Sequence, residues 1–168
     1  AEPLGKGDEA IRQEMVADLA AEALFGESSP LYLKLYEQGL IDSSFGGGFE
    51  TIDGCAMLLC SGDSDDPAAV QAAILERARE IAAEGLDETS FLRMKRSALG
   101  RRIRQLDSFD TTCFRVCAYH LSDFDYFRFP EICRGIEKEA IGAFIARVVT
   151  PERACLSVIR PLNDSEEA

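Results

Sequence analysis

The sequence has no tryptophan, a single histidine and few positive charges. Its 18 lysines and arginines stand against 30 aspartates and glutamates, which gives a net charge of −12 at pH 7. A chain with this balance does not suit nucleic acid or an anionic membrane surface as a partner. A single histidine also cannot supply a metal motif that needs two of them. These absences exclude a nucleic-acid role and any two-histidine zinc motif within this chain.

Long apolar runs are missing as well. No stretch approaches the roughly 18 apolar residues that are needed to cross a bilayer. The first ten residues have neither the basic nor the apolar region of a signal peptide. They also lack an initiator methionine, so we expect a processed chain or a fragment of a longer one. The 168 residues, 46% of them apolar, predict one globular domain (1–168) without a membrane partner and with a cytoplasmic location.

The cysteines do not have the spacing of a disulfide framework. They lie in apolar surroundings, which predicts reduced, buried thiols in a cytosolic protein; they are Cys55, Cys60, Cys113, Cys117, Cys133 and Cys155.

One group of residues could suggest a metal. Cys113, Cys117 and His120 fall on one stripe of a predicted helix. A tetrahedral zinc site usually needs a close-spaced pair and a fourth ligand. The pattern therefore favours a buried helical stripe, and a small zinc-binding module is the alternative.

Hydrophobic periodicity and cap signals predict an alternation of helices with a few strands. Asp53-Gly54 indicates a hairpin turn, and the glycines at 46–48 indicate a bulge or a close approach by another backbone rather than a phosphate loop. The basic residues between 93 and 104 indicate a face that pairs with acidic residues or, alternatively, a docking surface. The predicted helices are 8–25, 30–38, 67–84, 87–106, 109–121 and 136–148, and the predicted strands are 43–51, 55–61 and 154–160.

The most informative stretch is 28–49, which reads SSPLYLKLYEQGLIDSSFGGGF. Serine before Pro30 predicts a helix start, and Gly39 suits the left-handed residue that follows a helix. This order, with "LYEQGLID" leading into a strand of small residues, resembles the second half of the pitrilysin/insulinase-type zinc peptidases. Within that group, the amino-acid sequence of this stretch most resembles bacterial insulinase-like proteins associated with elongation factor P modification.

The resemblance implies an α+β fold of the mitochondrial processing peptidase-like metallohydrolase type. In that fold, helices pack on one face of a mainly antiparallel sheet, and two such halves enclose a chamber that binds peptides. Residues 1–7 (AEPLGKG) look too short and glycine-rich for the strand that precedes the first helix in this family. We therefore expect a sheet without its first strand, whose free edge favours self-association.

The resemblance also implies where the zinc lies. The family binds zinc through H-x-x-E-H in its first half, where the glutamate activates water. This chain lacks the motif, so we expect no cofactor and no catalytic residue here. Zinc is expected only in a catalytic N-terminal half or partner subunit of the same family.

The resemblance places the candidate peptide-binding residues in the central stretch. Active relatives carry an arginine and a tyrosine there, and the equivalent places fall near Tyr36 and Asp42, which do not match. We expect instead a chamber-lining role for these two positions together with Phe45 and Phe49. The implied function is the non-catalytic half of an insulinase-like zinc metallopeptidase. A structural or regulatory subunit without proteolytic activity is the alternative.

Overall fold

The computed structural model describes residues 2–3, 5–52, 55–121 and 123–160. Its strands are β1 (Glu2–Pro3), β2 (Gly46–Ile52) and β3 (Cys55–Ser61). Its helices are α1 (Asp8–Phe25), α2 (Pro30–Glu37), α3 (Pro67–Glu84), α4 (Glu88–Gln105), α5 (Phe109–His120), α6 (Phe129–Arg134) and α7 (Lys138–Val148), with 3₁₀ turns at Tyr126–Arg128 and Pro151–Arg153. The predicted α+β class is confirmed.

The helix ends follow the local signals in the sequence. Ser29 caps α2 by accepting a hydrogen bond from the Tyr32 amide at 3.1 Å, with Pro30 as the first helical residue. Gly39 has φ of 67°, a backbone conformation that side chains other than glycine's rarely tolerate. These two ends fix the length of α2 and turn the chain toward β2.

Helix α1 occupies the centre of the molecule. Ten of its eighteen residues are buried, and four of these are alanines. It packs against the β2–β3 sheet on one side and against α7, α6 and α4 on others. Because small side chains cover much of its surface, the sheet and the surrounding helices approach it closely.

The sheet is antiparallel, with strand order β1-β3-β2. The β2–β3 register runs without interruption from Gly46 opposite Ser61 to Ile52 opposite Cys55, so the glycines cause no bulge. The hairpin turn predicted at Asp53-Gly54 lies outside the described residues. Helices cover one face of the sheet, as predicted.

Two strand predictions are wrong. Glu2–Pro3 forms a short strand, because its backbone pairs with Cys55 and Ala56 of β3. Residues 154–160 do not form one: they are exposed and pair with no strand in the described part of the chain. An apolar stretch becomes a strand only beside a partner that takes its hydrogen bonds, and periodicity cannot show that partner.

The prediction of buried cysteines is wrong for five of the six. Only Cys133 is buried, whereas Cys55, Cys60, Cys113, Cys117 and Cys155 are exposed, and all six are unpaired. An apolar sequence does not by itself produce burial: one sheet face and one face of α5 stay uncovered in the described structure.

The glycines of β2 give a matched pair of substitutions. A Cβ on Gly47 would lie 2.6 Å from the Leu59 carbonyl oxygen and 2.6 Å from Cδ2 of Phe25, whereas a Cβ on Gly48 would meet no atom of the described residues within 4 Å. We expect Gly47→Ala to lower the free energy of unfolding by about 1–3 kcal/mol through overpacking. Gly48→Ala is the control and should change it by less than about 0.5 kcal/mol. Chemical denaturation measures both, and equal effects would contradict the close approach at Gly47.

Candidate functional site

Two of the predicted chamber residues lie at the junction between α2 and β2. Tyr36 is half exposed and stacks on Tyr32, with ring centroids 6.0 Å apart. Asp42 accepts hydrogen bonds from the Ser44 amide and hydroxyl, and these bonds lower the pKa of its carboxyl group. The Asp42 carboxylate thus holds the turn that leads into β2.

The two phenylalanines occupy different environments. Phe45 is buried, and its ring contacts those of Phe25 and Tyr32 at centroid distances of 6.4 and 6.2 Å. Phe49 is partly buried on the covered face of the sheet and also lines a cleft. Ring contacts with Tyr32 therefore connect Tyr36 to Phe45, whereas Phe49 lies beside a separate cleft.

The cleft beside Phe49 has a volume of about 740 Å³ and lies between α1, β2 and α5; it is called here the α5 cleft. It combines acidic and aromatic side chains in one depression. Its lining consists of Glu14, Asp18, Phe49, Glu50, Thr51, Asp110, Thr111, Phe114, Arg115, Ala118 and Tyr119.

A polar network forms one side of the α5 cleft. Arg102 of α4 is buried; its Nη2 donates to Glu14 and, at 3.1 Å, to Asp18. The Tyr119 hydroxyl donates to the Glu14 carboxylate at 2.7 Å. The second terminal nitrogen of Arg102, Nη1, is buried without a hydrogen-bond partner in the described structure. The network ties α4 and α5 to the central helix.

Burial shifts the pKa of two members of this network. Burial and the Glu14 carboxylate raise the pKa of the Tyr119 hydroxyl above its ordinary value, so it stays a donor at neutral pH. Burial also raises the pKa of Asp18, against the opposing effect of the Arg102 guanidinium. The network contains two carboxylates and one guanidinium, so it presents excess negative charge to the cleft.

The sequence contains a partial signal for this network. The acidic spacing of Glu14 and Asp18 on α1 indicates one helical face, and the basic residues of α4 were expected to pair with acidic residues. That pairing is confirmed by Arg102 and by Arg101, which contacts Glu22 at 3.3 Å. The spacing of residues along one helix does not show which other helix packs against it, so the sequence does not identify which helices these charges join.

The described residues do not fit a zinc ion. No group of three histidine, cysteine or acidic side chains in 2–3, 5–52, 55–121 or 123–160 is placed to hold one. Cys113, Cys117 and His120 lie exposed along α5, not on a buried stripe as expected. No reaction step can be assigned to a metal bound by these side chains.

A family model described as the peptidase M16 inactive domain matches residues 4–98. The chain belongs to the M16 peptidase family. Within that family it is the inactive, C-terminal type of domain, so the predicted resemblance and the non-catalytic assignment are confirmed.

The relatives are longer proteins in most cases. The chain is 26% identical over 163 residues to the uncharacterized zinc protease YmfH of Bacillus subtilis, covering 95% of this chain and 37% of that protein. Its fold matches an M16-like peptidase from Alicyclobacillus acidocaldarius with a TM-score of 0.77 and 22% identity, over 84% of this chain and 34% of that one. A zinc protease from Bordetella pertussis Tohama I matches with a TM-score of 0.70 and 14% identity, over 90% of this chain and 86% of that one. The chain thus spans little more than a third of the Bacillus relative.

None of the helices in the described part of the chain is both long and apolar enough to span a bilayer.

The Tyr119 hydroxyl provides a test of the network. Tyr119→Phe removes its bond to the Glu14 carboxylate and should lower the free energy of unfolding at pH 7 by about 1–2 kcal/mol. Because the pKa of Tyr119 is raised in the folded state, the wild type should lose stability as pH rises above about 10, by up to about 1.4 kcal/mol per pH unit. The difference in free energy of unfolding between the wild type and Tyr119→Phe should therefore become smaller above about pH 10.

Denaturant titrations at pH 7 and at alkaline pH measure this difference. Tyr36→Phe removes a hydroxyl from a half-exposed ring and is the matched control, expected within about 0.5 kcal/mol of wild type at pH 7. A constant difference between wild type and Tyr119→Phe across the pH range would contradict the network as described.

Proposed function

We propose that this domain completes the peptide-binding chamber of an M16 zinc peptidase whose catalytic half carries the metal. The observation that supports it is the uncovered face of the β2–β3 sheet. The Cβ position of Gly47 lies toward Phe25 of α1, so that of its neighbour Gly48 lies on the opposite face of the sheet, where no described residue comes within 4 Å. Leu59, opposite Gly48 on that face, is 46% exposed.

An apolar sheet face of this kind suits a second half that encloses a chamber. Met57 and Leu59 supply apolar surface on β3, and Gly46 and Gly48 leave the adjoining backbone of β2 accessible. In this proposal the half-exposed ring of Tyr36 and the turn held by Asp42 lie at the chamber margin, while Phe45 and Phe49 support the strand from the core side.

The partner in the proposal is a catalytic half, in the same polypeptide or a separate subunit, and the substrate is a peptide. A cytoplasmic location belongs to the same proposal and is supported by six unpaired thiols, which suit a reducing compartment. A link to elongation factor P modification stays a prediction. The alternative, a structural or regulatory subunit, differs only in lacking an active partner.

Reconstitution tests this function. The chain should be co-expressed with an H-x-x-E-H-containing M16 protein from the same organism and assayed on an unfolded peptide. We expect no cleavage by this chain alone, and cleavage by the pair that a chelator removes and added zinc restores. A partner whose motif glutamate is replaced by glutamine is the control. A stable pair without cleavage would favour the structural subunit, and failure to form a pair would contradict both.

We propose in addition that the free edge of β3 associates with another strand. On the side where β1 pairs with Cys55 and Ala56, Leu58 to Ser61 have no strand beside them in the described structure. Such a row of backbone donors and acceptors is a template for pairing. We expect the mass from light scattering to rise with protein concentration.

Two substitutions separate this edge from general hydrophobic association. Leu59→Lys places a charge on the exposed strand and should reduce self-association, since charged side chains protect sheet edges. Leu33→Lys changes a residue of similar exposure on α2 and is the control. A monomer at every concentration, or equal effects of the two variants, would contradict association through β3.

A further inference from the structure

We propose that the α5 cleft holds a lysine or arginine side chain of an extended peptide that pairs with the outer edge of β2. This inference goes beyond the proposed function, which places peptide on the open sheet face without any preference for its charge. It concerns this chain alone and needs neither zinc nor a catalytic half.

The first support is the position of β2 at the edge of the sheet. One side of β2 pairs with β3 over its whole length, and on its other side no strand lies within the described ranges. Phe49, Glu50 and Thr51 are consecutive, yet all three line the α5 cleft. Side chains of consecutive strand residues point to opposite faces, so the cleft follows the edge of the strand rather than one face. Backbone groups of an added strand can therefore reach β2 from the cleft.

The second support is the charge of the lining. Among the residues that the structure describes, four carboxylates line the cleft and Arg115 is the one lining residue of opposite charge; the carboxylates are those of Glu14, Asp18, Glu50 and Asp110. Arg102 lies behind the first two and supplies one positive charge to both. Negative charge therefore remains in excess, and a cation is the complementary ligand.

The third support is the apolar surface beside these carboxylates. Phe114 is 74% exposed, and the rings of Phe49 and Tyr119 also line the cleft. Lysine and arginine have aliphatic stems that pack on such surface while their charged ends reach polar groups, and their cations are attracted to aromatic faces. An acidic or a short polar side chain would satisfy only part of this lining. The cleft thus selects for basic residues by charge and by shape.

Fluorescence anisotropy with designed peptides tests the proposal. The probe is a fluorescein-labelled nonapeptide of alternating threonine and valine with arginine at its centre, and the comparison is the same peptide with glutamate there. We expect the arginine peptide to bind about tenfold or more tightly than the glutamate peptide at low salt, with a smaller ratio at high salt. Equal affinity for the two peptides would overturn the proposal.

Charge reversal at the rim identifies the site. The double variant Glu50→Lys and Asp110→Lys should weaken binding of the arginine peptide about tenfold. The control, Asp63→Lys with Asp65→Lys, makes the same change in net charge at exposed positions outside the cleft and should change affinity less than about twofold. Equal losses in both double variants would mean that the peptide binds the acidic surface in general, and would overturn the assignment.

A third measurement tests the pairing with β2. N-methylation of alternate backbone amides of the arginine peptide removes donors on one edge while keeping its charge. We expect one of the two alternately methylated peptides to bind at least about fivefold more weakly, since strand addition rests on main-chain hydrogen bonds. Unchanged binding by both would overturn the strand addition. Failure of any of these measurements leaves zinc-dependent reconstitution unaffected, so this inference and the proposed function fail separately.

Discussion

The close packing of α1 against the sheet is the contact on which the rest of the structure depends. Phe25 lies against Gly47, where a Cβ would come within 2.6 Å of its ring, and alanines fill much of the surface of α1. A helix so close to a sheet can be buried on most of its sides, as α1 is. The helices α4, α6 and α7 then pack around it, and ten of its eighteen residues are buried in these contacts and against the sheet.

A partly buried ionic contact fixes the direction of this apolar packing. Apolar burial alone would let α4 and α5 slide along α1, since the hydrophobic effect has no direction. Arg102 and Tyr119 both bond to Glu14, so one carboxylate on α1 sets the position of two later helices. Removing Arg102 would leave the Asp18 carboxylate without the guanidinium that offsets its burial, which is costly. The same carboxylates face the α5 cleft, so a structural contact also sets the charge of a surface.

Local signals predicted the helices well, because caps and periodicity act over a few residues. Ser29 and Asp87 each begin a helix by accepting a backbone amide hydrogen bond on their side chains, and Gly39 follows a helix end with a positive φ. The observed bounds differ from the predictions by two residues or fewer for all six predicted helices and for the strand 55–61, whereas the strand predicted at 43–51 begins three residues later. The same reasoning missed α6 and the strand at Glu2–Pro3, because a short element is held by what lies beside it in space. Residues 154–160 show the reverse case, an apolar segment with no strand beside it in the described part of the chain.

The candidate site was less predictable than the fold for a related reason. The family resemblance predicts a chamber-lining role for Phe45, and the structure shows its ring buried beside Phe25. Which of the two sheet faces is covered depends on where α1 lies, and the sequence of β2 alone does not predict that position. The uncovered apolar surfaces follow from the same geometry. Since one central helix can cover only one face of a sheet, the opposite face of β3, with Leu59 exposed, must either contact water or contact another polypeptide.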